Sequence, residues 1–325
     1  MSQDYSTWTN PILHSCDPAS AWAHLFEILA TLSQKSTPEE IRKQTIAPDR
    51  LLAESAWDLW QAYNSTASRT SQVIQEWWAK PFANGRATLI LDALSLLHLP
   101  LLLDGAKSYG ITPLSVRVTG SEIPSDTDMF AHALGVPSRS SLRNNSAPIG
   151  FALHQYEVYT DVLDIPFEDC LSSVPSNPNV FIWHTWLDDL IHVHHKRPEL
   201  ILKTSQQAFQ SNGFWTFINR LRQGRRLLIT SDHGYAVSKL FSTEEKDPDA
   251  IAILRDTFGA SRYCKAQQPW NQRFMPPVAI NLNGHHVILG QRKWKVQGGF
   301  PDLCHGGLSL LEVAVPFIEF SPMEG

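Results

Sequence analysis

The chain has only four cysteines in 325 residues, Cys16, Cys170, Cys264 and Cys304, and no two of them form a CxxC pair. Neither a disulfide framework nor a thiolate zinc site is expected, and buried free thiols are the simpler reading. Long apolar runs are also missing. The best candidate, Ala87 to Leu103, is interrupted by Asp92, Ser95, His98 and Pro100, so it reads as a buried strand followed by a helix rather than a membrane span. The leading MSQDYSTWTNPILHSCDP has no basic segment followed by an apolar one, which argues against a secretory signal. The expectation is a soluble, cytoplasmic protein without membrane contact. Charge is sparse, with 18% Asp, Glu, Lys and Arg and a formal net charge of -5. No broad basic field is available to grip a nucleic-acid backbone. With 43% hydrophobic residues, 11 Trp and 15 Phe, general disorder is excluded as well.

What is present divides into two parts. From Ala21 to Ala79 apolar residues recur at helical spacing, as in AWAHLFEILATL and LLAESAWDLWQAY, separated by SQKSTPEE. This predicts a helical N-terminal region over 1–85. Its Trp57, Trp60, Trp77 and Trp78 are assigned to packing, with a protein partner on these helices as the alternative. After NGR the pattern changes to short apolar runs. Strands are predicted at Ala87–Leu91, Leu114–Val118, Val180–Trp183, Leu227–Thr230, Val278–Leu282, Val287–Leu289 and Val313–Phe320, with helical segments between several of them. The alternation implies a layered α/β domain over 86–325, with functional residues collecting where strands end.

Five segments carry chemistry. In RATLILDALSLLHLP a buried strand delivers Asp92 at its end, where a carboxylate can face a ligand or simply cap the next helix. In VTGSEIPSDTDMF a hydroxyl sits near a helix start, where unpaired N–H groups favour an alkoxide; capping by Ser125 or Thr127 is the plainer reading of that segment alone. In NVFIWHTWLDDLIHVHHKRPEL, Asp188 and His192 fall at i and i+4 of a helix and can bite one metal ion. His184, His194 and His195 are surplus there, as hydrogen-bond donors to the ligands, substrate contacts or ordinary surface histidines. In RRLLITSDHGYA, Asp232 and His233 can both ligate one ion if the chain turns sharply, which Gly234 permits. In GGFPDLCHGGLSLLEVAVPFIEF, Gly306 and Gly307 let the chain pass close to whatever His305 binds.

In that order the segments LILDAL, PSDT, WLDDLIH, ITSDHG and CHGGLSLLEVAVP resemble the alkaline phosphatase superfamily, specifically its PglZ family, over roughly Arg86 to Phe320. The resemblance implies an α/β/α sandwich with a mostly parallel mixed central sheet and two divalent metal ions, zinc or manganese, at the strand ends. Asp188, His192 and His305 would hold one ion. Asp92, Asp232, His233 and the hydroxyl of Thr127 would hold the other, with Thr127 also the nucleophile. Ser121 and Ser125 are rival nucleophiles, and Asp189 is a rival to Asp188. Family members often carry a basic residue shortly after the first Asp, where this chain has Ser95.

Two ions about 4 Å apart can bridge a phosphoryl group and stabilise attacking and leaving oxygens. The implied activity is a metal-dependent phosphodiesterase or phosphatase passing through a phosphothreonine. PglZ domains occur in prokaryotic phage-defence systems and beside signalling modules, a setting that suits a nucleotide-type phosphoester. The competing reading is a catalytically silent, metal-binding scaffold subunit of such a complex. A sulfatase is disfavoured because Thr127 cannot become the modified Cys or Ser such enzymes need, and a mutase because Ala131 to Asn179 is short for a closing domain.

Overall fold

A computed structural model describes residues 6–15, 17–194, 197–267, 274–300 and 305–323; Cys16, His195 and Cys304 lie outside them. The chain begins with helices α1 (Ser6–Leu13), α2 (Pro18–Lys35), α3 (Pro38–Gln44), α4 (Ile46–Glu54), α5 (Trp57–Thr66) and α6 (Thr70–Ala79). Local chemistry sets their limits. The Asp17 carboxylate accepts the Ser20 N–H at 2.9 Å and Pro18 opens α2, while Thr37 and Glu40 form a capping box at α3. Along α2, Trp22, Leu25, Phe26 and Leu29 fall on one buried stripe. Trp22 meets Trp60 and Tyr63 of α5 with ring centroids 4.7 and 5.0 Å apart, and its N–H is donated to the Leu59 carbonyl at 3.1 Å. Trp60, Trp77 and Trp78 are fully buried, and Trp57 packs against the core that holds Trp60, so these tryptophans are packing residues.

Next come β1 (Gly85–Leu91), α7 (Leu99–Ser108), β2 (Ser115–Gly120), α8 (Thr127–Ala133), β3 (Tyr159–Leu163), β4 (Asn179–His184), α9 (Trp186–His194), α10 (Pro198–Phe209), α11 (Asn212–Arg222) and β5 (Arg225–Thr230). The chain then builds β6 (Thr243–Glu244), α12 (Pro248–Phe258), β7 (Tyr263–Lys265), β8 (Ala279–Leu282), β9 (His285–Ile288), β10 (Arg292–Lys293), the single turn α13 (Leu310–Val313) and β11 (Ala314–Phe320). A six-stranded sheet runs in the order β2-β11-β5-β1-β4-β3. β1 pairs parallel with β4 and β5, and β4 with β3, whereas β11 is antiparallel to both β5 and β2. The sheet is therefore mixed and mostly parallel.

Alternation along β1 separates two cores. Ala87, Leu89 and Leu91 face a layer with α7, α9, α10 and α11, and Ile90 faces Trp77, Trp78, Phe130 and Trp183 on the other side. Each fully buried aliphatic side chain contributes about 1.5–3 kcal/mol. The leading helices share a third core with Leu96, Val118, Leu308, Leu310, Leu311 and Val313, so they pack on the sheet's β2 edge and on the segment entering β11. β3 was not anticipated: the run YTDVL is short and carries Asp161, whose carboxylate accepts the Asn144 and Val162 N–H groups at 2.8 Å each. Outside the main sheet lie a three-stranded sheet, β7-β9-β8, and the two-stranded pair β10-β6. Among the described residues no helix is long and apolar enough to cross a membrane.

Candidate metal centre

Asp92 leaves the end of β1, Asp232 and His233 follow β5, and Asp188 lies in the first turn of α9 just beyond β4. These strands are neighbours and parallel, so their carboxyl ends bring the residues to one edge of the sheet, where an open α/β sheet forms its ligand crevice. The ligand atoms of Asp92, Asp232 and His233 lie within 4.8 Å of one another, and all three residues are buried. Thr127, the first residue of α8, points its hydroxyl into this group. Its Oγ1 is 2.8 Å from Asp232 Oδ2, 3.2 Å from His233 Nε2 and 3.4 Å from Asp92 Oδ1.

Backbone geometry fixes the cluster. Ala93 follows Asp92 at φ 61°, a conformation costing about 1–3 kcal/mol for a residue with a side chain. Its N–H is donated to Asp232 Oδ1 at 3.0 Å and the Leu94 N–H to Ser231 Oγ at 2.8 Å, so the strained turn is tied to the neighbouring strand end. Gly234 serves differently from the sequence expectation. Its φ is not in the left-handed region, but an added Cβ would lie 2.2 Å from the Leu311 carbonyl oxygen. The need is for close backbone approach rather than a glycine-only turn. Gly306 and Gly307 likewise leave room for the protein itself, for the Tyr263 ring and the Arg262 guanidinium respectively.

Electrostatics describe a pocket with excess negative charge. Burial, then the charges of Asp232 and Asp188, push the Asp92 carboxyl well above the usual range. Burial would also raise Asp232, but His233, the Ala93 N–H and the Thr127 hydroxyl outweigh it and hold that carboxyl low. Burial would lower His233, yet the Asp232 and Asp92 carboxylates prevail and raise it to about 9. A cation held among these groups would displace the protons that Asp92 and His233 otherwise keep, with oxygen and imidazole donors of the kind zinc or manganese accepts.

The other sequence candidates surround this cluster less tightly. The His305 ring stacks on His233 with centroids 4.7 Å apart, and burial together with the His233 cation lowers its pKa. Asp188 and His192 do sit one above the other on α9, Asp188 Oδ1 and His192 Nε2 being 3.4 Å apart with the His192 side chain 58% exposed. Among the described residues, His305, Asp188 and His192 are not drawn together as closely as the first three. The rivals have other partners. Ser125 Oγ accepts the Gly306 N–H at 2.8 Å and donates to the Gly307 carbonyl at 3.2 Å, Ser121 Oγ donates to the Glu122 carbonyl, and Asp189 accepts the Thr185 hydroxyl at 2.7 Å. The N-cap of α8 is Asp126 rather than Ser125 or Thr127, which leaves the Thr127 hydroxyl to the cluster. His184 is a core residue against Phe167 and Cys170, and His194 is half-buried.

Two contributors were not foreseen. Arg139, from the short 3-10 segment Arg139–Asn145, forms an ion pair with Asp92 Oδ2; the surrounding SRSSLRNN carries no pattern that marks it. It places a guanidinium beside the cluster, a basic group that Ser95 does not provide. Trp183, at the end of β4, donates its indole N–H to the same oxygen at 2.9 Å. Its place beside Ile90 in the register, next to the strand end bearing Asp92, is a signal that pairing β1 with β4 would have exposed.

No protein-family model and no curated protein matches the chain. Among solved structures, murine ectonucleotide pyrophosphatase/phosphodiesterase 5 is similar at 13% identity and TM-score 0.43, covering 73% of this chain and 88% of that one. An inactive variant of the murine protein in complex with AMP aligns at 12% identity and TM-score 0.42, covering 74% and 88%. Phosphonoacetate hydrolase from Sinorhizobium meliloti, in complex with phosphonoacetate, aligns at 13% identity and TM-score 0.39, covering 73% and 89%. At such values the chemistry of the site has to be argued from the chain's own residues.

Proposed function

We propose that the chain is a metal-dependent phosphoric ester hydrolase, a phosphodiesterase or phosphatase of PglZ type, with Thr127 as nucleophile. The observation that carries this reading is the approach of Thr127 Oγ1 to Asp92, Asp232 and His233 at once. A purely structural metal site has no use for a hydroxyl there, which weighs against a silent scaffold. Asp92, Asp232, His233 and Thr127 would hold one divalent ion, and Asp188, His192 and His305 a second, with zinc or manganese suited to these donors. When bound, such ions supply Lewis-acid stabilisation of charge on the phosphoryl oxygens and a lowered pKa for the nucleophile.

The chain's own groups account for the remainder. Asp232 Oδ2 accepts the Thr127 O–H at 2.8 Å and so orients the oxygen for attack on phosphorus, while the hydroxyl, its pKa lowered, gives up its proton to solvent. The bond from phosphorus to the leaving oxygen breaks as that oxygen takes a proton from water, giving a phosphothreonine. A water oxygen then attacks the same phosphorus, giving its proton to solvent, and the Thr127 Oγ1–phosphorus bond breaks with Oγ1 reprotonated, releasing phosphate from a monoester or a phosphate monoester from a diester. Arg139, whose side chain is 29% exposed, is placed between Asp92 and solvent, where its guanidinium can engage phosphoryl oxygens bidentately. Trp183 holds Asp92 in orientation through its indole N–H. A nucleotide-type phosphoester in a prokaryotic defence or signalling setting, inside the cytoplasm, is the substrate class that the motif resemblance favours.

The test is to purify the chain with zinc or manganese and assay aryl phosphate monoesters and diesters beside Thr127→Ala. Turnover in the wild type that falls at least a thousandfold in the variant is the expected outcome. Equal activity in both, at background or above it, overturns the assignment.

A further inference from the structure

The loop that presents His305 is held from the far side by residues that none of the motifs marks. Ser309, the N-cap of α13, makes no capping bond of its own; its hydroxyl is donated instead to Glu312 Oε2 at 2.6 Å. The unsatisfied N–H at the start of this turn, that of Leu310, is accepted by Asp49 Oδ1 at 2.7 Å. Asp49 belongs to α4 and is 1% exposed. Its other oxygen accepts the Gln291 side-chain N–H at 2.7 Å, so both carboxylate oxygens are used.

Beside it, Glu312 is wholly buried and binds the Arg262 guanidinium through two bonds of 2.9 Å. Glu312 Oε1 also accepts the Gly307 N–H at 3.0 Å, two residues after His305. Arg262 donates onward to the Gly290 and Arg292 carbonyls, and an added Cβ on Gly307 would lie 2.5 Å from its Nε. With Ser125 accepting the Gly306 N–H, the backbone just after His305 is fixed at Gly306, Gly307 and Leu310. The first clamp adjoins Thr127, the second is internal to the catalytic part, and the third comes from the N-terminal helices.

We propose that Asp49 is a positioning residue for the metal-binding loop, so that the N-terminal helices set the placement of His305 and the occupancy of the site it serves. The proposal rests on the two-metal reading above. Metal affinity responds about 10–100-fold to loss of groups that orient a ligand, and Asp49 orients this one through the Leu310 N–H that it accepts.

Its test is titration of the metal-free chain with zinc or manganese, for the wild type, His305→Ala, Asp49→Ala, Asp49→Leu and Asp49→Asn, together with hydrogen exchange of residues 305–313. The wild type should take up two equivalents, and His305→Ala should weaken one of them. Asp49→Ala should weaken the same equivalent about tenfold or more, leave the other unchanged, and speed exchange across the loop. Asp49→Leu keeps the buried volume while removing both acceptors, and should behave likewise even if the Ala variant fails to fold. Asp49→Asn should recover wild-type affinity within about threefold, because its oxygen still accepts Leu310 and Gln291 can turn its carbonyl to the new amide. Wild-type affinity and exchange in Asp49→Leu, or an Asn variant as impaired as the Leu variant, overturns the proposal. A wild type that binds no metal overturns the two-metal reading instead, whereas unchanged exchange in the metal-free variants counts against Asp49 alone.

Discussion

Asp49→Asn also probes the energetics of the buried clamp, through the pH dependence of stability. The charged groups facing Asp49 are Glu312, which disfavours its ionised form, and Arg262, which favours it; Gln291 and the Leu310 N–H are its hydrogen-bond donors. Burial is the largest influence and raises the carboxyl from 3.8 to about 7. Well below pH 3.8 both folded and unfolded chains carry the proton, and the group's stabilising contribution is fully present. As pH rises, the unfolded chain gives up its proton first, so folding loses stability until the folded carboxyl itself ionises near 7, and the loss is complete above that. At about 1.4 kcal/mol per pH unit between those two values, the loss amounts to about 4 kcal/mol. Asn carries no charge at any pH. The stability difference between variant and wild type should therefore move in favour of the variant by about 4 kcal/mol between pH 4 and 8. Urea denaturation in the presence of a chelator measures it, since all other carboxylates titrate in both chains and cancel. A difference constant to within about 1 kcal/mol across that range would refute the burial argument.

Trp183→Phe keeps an aromatic ring but deletes the N–H that Asp92 Oδ2 accepts; first-equivalent metal affinity should fall about tenfold, and unchanged affinity would remove Trp183 from the site. Ser125→Ala breaks two bonds, to the Gly306 N–H and the Gly307 carbonyl, so activity should fall by no more than about a hundredfold, near the worth of two neutral hydrogen bonds. Abolition by Ser125→Ala would instead make Ser125 the nucleophile. Gly234→Ala places a methyl against the Leu311 carbonyl and should cost about 1–3 kcal/mol in denaturant midpoint; a variant of wild-type stability would contradict that close approach.

The parts of the molecule that the sequence made legible share a physical cause. Apolar runs such as TLILD and LLITSD are buried on both faces in parallel strands, so their residues and the polar groups that end them are both conspicuous. Asp92, Asp232 and His233 were visible for that reason, and Thr127 from its place at a helix start. Arg139 was not, because it lies in an irregular polar stretch and reaches Asp92 only after the fold has closed. Asp49 was hidden more deeply. Within α4 it reads as a first-turn carboxylate of an ordinary helix, and only the folded chain shows that it caps a turn 261 positions away.

The two halves of the candidate centre also differ in how they are supported. Asp92, Asp232 and His233 project from strand ends whose turns are locked by side-chain bonds to Ala93 and Leu94, so little conformational freedom remains to be lost when a ligand binds. Asp188 and His192 lie on an outer helix face, with His192 mostly exposed, and His305 sits on a loop whose shape depends on Ser125, Glu312 and Asp49. Ordering a long exposed side chain costs about 0.5–1.5 kcal/mol, a cost the first cluster has already met in folding. The first cluster is thus the preorganised part, whereas Asp188, His192 and His305 depend for their placement on neighbouring contacts. One of those contacts, from Asp49 of α4, joins the part of the chain without motifs to the part that carries them.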